Sequence, residues 1–339
     1  MSYGRQVIYT DATEITAANV ADEVRKAVMV HESNRADAEK LNGYFCGRTP
    51  ILNKEKEIRE EINHKINENH AHEVTRFYEG YVFGEPIQYV RRENSTVDEG
   101  DDAIAADINA LNTFNADAGK AACDARLANW ILKAGVGYRM TLPNAAWTPD
   151  GDEAPFKKFS LDPRQTFVVR RNDVERSVAC SCYYVRQTEN DEQIFNVYTD
   201  KALFIVRGFG GVEEYPHVLG MNPITEYTLD ESRLGIFEVA VPLFDAIDEL
   251  QSNRMDDVVQ FVNSFLAIMG AELNEETYAR LNAWKTLCLP EGSDAKYLSP
   301  AMNQNDVQTL KDDLYQSILT ICGVPNRNGG SSTSDTGSA

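Results

Sequence analysis

The stretch Ser232–Gly270, SRLGIFEVAVPLFDAIDELQSNRMDDVVQFVNSFLAIMG, decides how the rest of the chain is read. Apolar residues recur at Ile236, Ala240, Leu243, Ile247 and Leu250, then at Met255, Val258, Val262, Phe265 and Met269, mostly in the three-and-four spacing of an amphipathic helix. Ser232 is placed to cap its start and Gly270 to end it. The spacing therefore predicts one rod about 50 Å long at about 1.5 Å per residue. Pro242 lacks an amide donor, which predicts a kink there or a second helix beginning near it. The polar run Gln251 to Arg254 interrupts the apolar seam, so two apolar stretches flank a polar middle. Such a rod is either docked on a body at one end and inserted elsewhere at the other, or an ordinary core helix of a large domain.

Working outward, 339 residues leave room for about two domains, and 42% hydrophobic residues suffice for a core. Lys plus Arg total 33 against 53 Asp plus Glu, a formal charge of -20, which opposes a module that grips nucleic acid through its phosphates. Six cysteines show no framework spacing. Cys180 and Cys182 share a strand face, which suits packing better than a disulfide and points to a reducing compartment. No apolar run reaches bilayer length and the first residues lack a signal-peptide core, so the expectation is a soluble, cytosolic chain with no membrane partner.

Upstream, Thr16 is placed to cap a helix carrying Val20, Val24, Ala27, Val28 and His31, which Gly43 ends. After GYFCGRTPIL a second, polar helix is predicted from Lys54 to about Tyr78, with His64, His70 and His72 on its surface. An alanine-rich helix follows from Ala103 to Leu132, closed by Gly135 and Gly137. From Phe159 to Tyr227, TFVVRR, SVACSCYYVR, IFNVYT and ALFIVR read as an antiparallel sheet, with Arg170 and Arg171 at a solvated strand end. Beyond the long helix come a short helix from Asn274 to Lys285, two short strands within Thr286–Leu298, and a helix carrying Val307, Leu310, Leu314, Ile318 and Ile321 up to Gly323. The end, NRNGGSSTSDTGSA, has no periodicity.

No catalytic constellation emerges. The GFGG at Gly208–Gly211 is followed by Glu213 and Glu214 rather than by a helix with a lysine, so it reads as a turn. His64 and His72 would need a third metal ligand from elsewhere, and Asp245/Asp248 and Asp256/Asp257 read as solvated helix carboxylates. The expectation is no enzyme, no metal and no cofactor. Two other classes remain from the residues: a non-viral oligomeric helical scaffold, and a metal-dependent hydrolase built on those histidines or carboxylates.

Several segments, taken in order, resemble the portal proteins of long-tailed, siphovirus-type bacteriophages: GYFCGRTPIL, the Asn-rich helix followed by YEGYVFGEPIQY, PRQTFVVRR, NPITEYTLDESRLGIFEVAVPLFDAIDELQSNRMDD, and GVPNRNGGSSTSDTGSA. The resemblance spans nearly the whole chain. Its most specific parts are Tyr81 to Tyr89 and Leu243 to Asn253.

The resemblance implies an α+β portal fold with a mixed α/β wing at 1–231, two long stem helices at 232–270 and 303–323, and a small α/β clip at 271–302. It implies that 324–339 starts the tunnel-loop region, with the C-terminal crown absent. Leu243, Ile247, Leu250, Val258, Val262, Phe265, Leu310, Leu314 and Ile318 would form the stem seam. Asn274, Glu275, Tyr278, Trp284 and Lys285 become candidates for binding head-tail connector proteins. Arg327, Asn328, Gly329, Gly330, Ser331, Ser332, Thr333 and Ser334 become candidates for facing the channel. The implied function is a homo-oligomeric ring, twelvefold in the virion, at one capsid vertex. DNA is packaged and ejected through it; terminase, head-tail connector (adaptor), major capsid and scaffold proteins are its partners, and double-stranded DNA is a transient, non-specific one. The implied location is the virion, and the host cytoplasm during assembly.

Overall fold

The computed structural model describes residues 4–57, 60–91, 101–151, 153–185, 193–208, 210–262, 265–269, 294–298 and 304–326. The chain is mixed α and β and divides into two units, one of Met1–Arg48, Asn69–Val241 and Leu319–Ala339, the other of Thr49–Glu68 and Pro242–Ile318.

In the first unit, helix α1 (Val20–Phe45) buries Val20, Val24, Ala27, His31, Asn34, Ala38 and Leu41, an unbroken alternation of fours and threes along one face. Part of that face joins the core of a six-stranded sheet. Its order is β1 (Ile8–Thr10), β4 (Thr166–Arg171), β5 (Val178–Val185), β6 (Ile194–Tyr198), β7 (Ala202–Arg207), β8 (Gly211–Pro216), antiparallel except for β1 beside β4. β6 and β7 alternate buried and half-buried residues, as a sheet covered on one face requires. Two polar residues on the α1 face are matched. His31 packs its ring 4.8 Å from Phe167, and Asn34 bonds both backbone groups of Gln6 at 2.7 and 2.9 Å. Burial lowers the His31 pKa to about 4, so the ring stays neutral.

The sequence-based antiparallel sheet thus agrees with β4 to β7, and Cys180 and Cys182 are buried, free thiols on β5. Three expectations in this unit are corrected. Gly43 does not end α1, which runs on to Phe45. The alanine-rich helix is two helices, α3 (Asp101–Asp117) and α4 (Lys120–Ala134), because Gly119 takes a left-handed φ of 63° between them. Arg170 is not a solvated strand end: it shares the buried Glu226 carboxylate with Arg233, at 3.0 and 2.8 Å.

α4 lies on a second, three-stranded sheet ordered β3 (Phe156–Leu161), β2 (Val136–Pro143), β9 (Ile224–Thr228). Gly135 makes the turn from α4 into β2 with φ 72°, where a Cβ would stand 2.3 Å from the carbonyl oxygen of Arg233.

In the second unit, the predicted helix from Lys54 is corrected. Residues 63–69 form neither helix nor strand, and helix α2 (His70–Phe83), part of the first unit, starts only after Asn69, whose side chain accepts the amide of His72 at 3.0 Å. Between Lys54 and Asn69 only Ile58, Ile62 and Ile66 are apolar, too few to bury a helical face.

The predicted long rod is shorter at both ends. A 3-10 turn at Glu238–Ala240 precedes helix α5 (Val241–Val262), with Pro242 in its first turn, where the missing amide costs nothing. The helix stops before β10 (Phe265–Met269), which pairs antiparallel with β11 (Asp294–Leu298). Phe265 and Met269 therefore belong to a strand, not to the helical seam. Helix α6 (Gln304–Ile321) follows. The predicted helix at 274–285 lies outside the described residues.

Candidate functional site: a polar latch on the long helix

Apolar spacing placed the seam of α5 at Leu243, Ile247, Leu250, Val258 and Val262. The structure buries Phe244 and Ile247, half-buries Leu243 and Leu250, and leaves Met255 and Val258 exposed. The line that is buried instead is polar. Asp248, Ser252 and Asp256 are all 1% exposed or less and stand four residues apart, one above the other on the helix.

Each takes one amide from the strap formed by residues 64–68. His64 N–H donates to Asp256 Oδ1 at 2.8 Å, Ile66 N–H to Ser252 Oγ at 2.9 Å, and Glu68 N–H to Asp248 Oδ1 at 2.8 Å. The geometry follows from two periods. Four helical residues rise about 6.0 Å and two extended residues about 6.6 Å, so every second amide of a strap meets every fourth side chain of a helix. The two run antiparallel.

The remaining valences are filled at both ends. Thr49 Oγ1 donates to Asp248 Oδ2 at 2.8 Å, and Asn67 Nδ2 reaches the same oxygen at 3.1 Å. Ser252 Oγ donates to the Asp248 carbonyl at 2.7 Å. Asp256 pairs through Oδ2 with the Lys56 ammonium and through Oδ1 with His64 Nδ1 at 2.7 Å. Burial pushes the Asp256 carboxyl upward, but the bonds from Lys56 and from the amide and ring of His64 outweigh it and hold its pKa below the usual carboxylate range. Lys54 adds a bond to Asn253 at 2.6 Å. Glu68 accepts from Gln251 and from Lys311 of α6 at 2.7 Å, and Arg254 reaches Gln308 of α6 at 2.8 Å. The strap thus ties α5 and α6 together through side chains that a helical wheel assigns to water.

This arrangement holds backbone. Both Asp256 oxygens are occupied, and among the described residues no three His, Cys, Asp or Glu side chains gather as metal ligands. His70 and His72 sit in the first turn of α2, where His70 Nδ1 lies 2.9 Å from Glu73.

The model of the phage portal protein family of the SPP1 Gp6-like type matches residues 27–339. The chain belongs to that family.

Three solved structures are similar to this portal-family chain. The neck of an empty gene transfer agent (GTA) particle, computed with C6 symmetry, is 16% identical over 89% of this chain and 73% of that chain, with a TM-score of 0.49. The neck of the native particle, computed with C12 symmetry, is 15% identical over 89% and 72%, with a TM-score of 0.47. The virion of the native particle is 16% identical over 86% and 71%, with a TM-score of 0.46. No curated protein matches the chain.

Among the residues expected at portal sites, the structure buries Ile247 and Ile318, half-buries Leu243, Leu250 and Leu314, and leaves Val258 and Leu310 exposed. Val262 closes α5 and Phe265 opens β10. The connector-binding candidates Asn274, Glu275, Tyr278, Trp284 and Lys285 and the channel candidates Arg327 to Ser334 lie outside the described residues. Sequence reasoning missed Asp248, Ser252 and Asp256. The signal was present as hydrogen-bonding side chains at every fourth position in line with Phe244, but helix carboxylates usually face solvent.

Proposed function

We propose that this chain forms a homo-oligomeric portal ring, twelvefold, at one vertex of the capsid, the channel through which phage DNA is packaged and ejected. The observation that carries this is the family match over residues 27–339. The chain is then a structural conduit in the virion, assembled in the host cytoplasm among major capsid and scaffold proteins, with the motor supplied by terminase. Residues 1–231 form the wing, α5 and α6 the stem, 271–302 the clip, and residues from 324 onward open the tunnel-loop region. The latch gives the stem helix a rigid backing. Exposed Met255, Val258, Leu310 and Ile321 on the two stem helices are the surface that a neighbouring subunit covers. Among the described residues no helix is long and apolar enough to cross a membrane.

Native mass spectrometry and particle images of the protein test the reading. Closed rings of about a dozen subunits are expected; a stable monomer or dimer refutes it. Two site assignments have their own tests. Substituting Glu275 and Lys285 should leave rings intact but weaken connector attachment, and rings that bind connectors after deletion of 271–302 refute the clip assignment. Placing lysines at Gly329 to Ser334, where only Arg327 carries positive charge nearby, should slow packaging without disturbing the ring; unchanged packaging means this segment does not touch DNA.

A further inference from the structure

The break between α3 and α4 borders a cavity of about 310 Å³ in the first unit, lined by Ile87, Gln88, Asn112, Asn115, Gly119 and Lys120 among others. One wall is the segment that ends at Tyr89, which Asn112 of α3 pins by accepting the Tyr89 N–H and donating to the Tyr89 C=O, both at 2.9 Å. Another wall is the start of α4. The first amides of a helix have no partner inside it, and the cap here is Gly119, which has no side chain to offer them. A Cβ at Gly119 would meet nothing within 4 Å, so the space around this cap is open.

Two polar side chains on this cavity are buried. Asn115 is 4% exposed; its Oδ1 accepts from Lys158 of β3, while its Nδ2 has no hydrogen-bond partner among the described residues. Lys120 is 5% exposed and shares the Asp124 carboxylate with Arg139. One carboxylate thus stands among three cations, Lys120, Arg139 and Lys158, which leaves a local surplus of two positive charges. Burial first, then the nearby Arg139 and Lys120, lower the Lys158 pKa, as such a surplus requires. Among the described residues no Asp or Glu lines the cavity, in a chain whose formal charge is -20. A buried amide donor left unmatched is costly, so a ligand that accepts from it is favoured.

We propose that this cavity binds a phosphate group with a free end, either inorganic phosphate or a phosphomonoester. Its oxygens take the backbone amides of Lys120 and Ala121, the Nδ2 of Asn115 and the ammonium of Lys120. The helix start supplies N–H groups and the positive end of the α4 dipole. Lys120 has three N–H bonds; Asp124 takes one, the Ile87 carbonyl lies 3.5 Å from the nitrogen, and one is left for the ligand. Four converging donors with surplus positive charge suit a tetrahedral dianion better than a planar monocarboxylate. Because both side chains are more than nine-tenths buried, a phosphate carrying a sugar on each side cannot reach them, so the backbone of duplex DNA is not the ligand.

The full chain is titrated with inorganic phosphate by calorimetry at constant ionic strength, and hydrogen exchange is followed at the Lys120 and Ala121 amides. One phosphate per chain is expected, with exchange at those two amides slowed about tenfold at saturation. Asn115→Asp keeps an oxygen for Lys158 but puts a negative charge where the donor stood, and should weaken phosphate at least about tenfold. Lys157→Gln, on the neighbouring groove and not on this cavity, should stay within about twofold of wild type. Acetate should bind at least about tenfold more weakly than phosphate, and a DNA duplex without terminal phosphates should not compete. Three results overturn the site: no saturable uptake by the wild-type chain, uptake that leaves the two amides unprotected and so marks an adventitious ion only, or an Asn115→Asp chain that binds like wild type. Acetate binding equal to phosphate overturns the choice of ligand, and competition by the duplex overturns the free end. Protection of the wild-type amides decides the matter even where a variant fails to fold.

Discussion

Asp256→Ala is the sharpest probe of the latch. The substitution leaves the His64 amide without an acceptor, worth about 1–3 kcal/mol for a buried donor. It also strips Lys56 of its counter-ion, but that side chain is 23% exposed and can rehydrate, so its share is below about 1 kcal/mol. Together the strap should open more easily by about 3 kcal/mol, roughly a hundredfold loss of hydrogen-exchange protection at the His64 and Ile66 amides. Asp256→Asn keeps an oxygen for the amide but turns its own N–H groups toward Lys56, so an intermediate loss of about 1–2 kcal/mol is expected. Asp257→Ala, at an exposed position one residue on, should stay within about 0.5 kcal/mol of wild type. Exchange resolved at single amides decides the matter. If Asp256→Ala and Asp257→Ala protect His64, Ile66 and Glu68 equally, the strap is held by something other than this seam.

The pH dependence has a definite sign. The folded pKa of Asp256 is lowered, so its contribution is present above the unfolded value near 3.8 and is lost as pH falls through the folded one; strap protection should be flat from about pH 7 to 5, decline below about 4, and lose that acid limb in Asp256→Asn. His31 acts higher: neutral when folded with a pKa of about 4 against 6.5 unfolded, it should cost the first unit about 3 kcal/mol between pH 6.5 and 4, a slope that His31→Gln should remove in urea titrations. The left-handed glycines should separate conformational from steric cost. Gly119→Ala meets no atom within 4 Å and should lose about 1 kcal/mol, whereas Gly135→Ala, driven against Arg233, should lose at least about twice that in thermal melts.

Local chemistry made much of this chain legible. The α1 face follows from its fours and threes, the strands β4 to β7 from β-branched and aromatic runs, and the start of α5 from Pro242, because each signal is written within one turn or one pleat. The α3–α4 break rested on a single φ at Gly119, which composition alone does not reveal. The strap could not be read locally. Lys54 to Asn69 looks like a polar helix because residue preferences are counted along the chain, whereas its amides are satisfied by Asp248, Ser252 and Asp256 about 190 residues away. The same partnership inverted α5, burying its polar line and exposing Met255 and Val258. Sequence determined which segments have the period of a helix or a strand; only tertiary structure decided which face was inside, because a carboxylate can be buried once another part of the chain brings it donors.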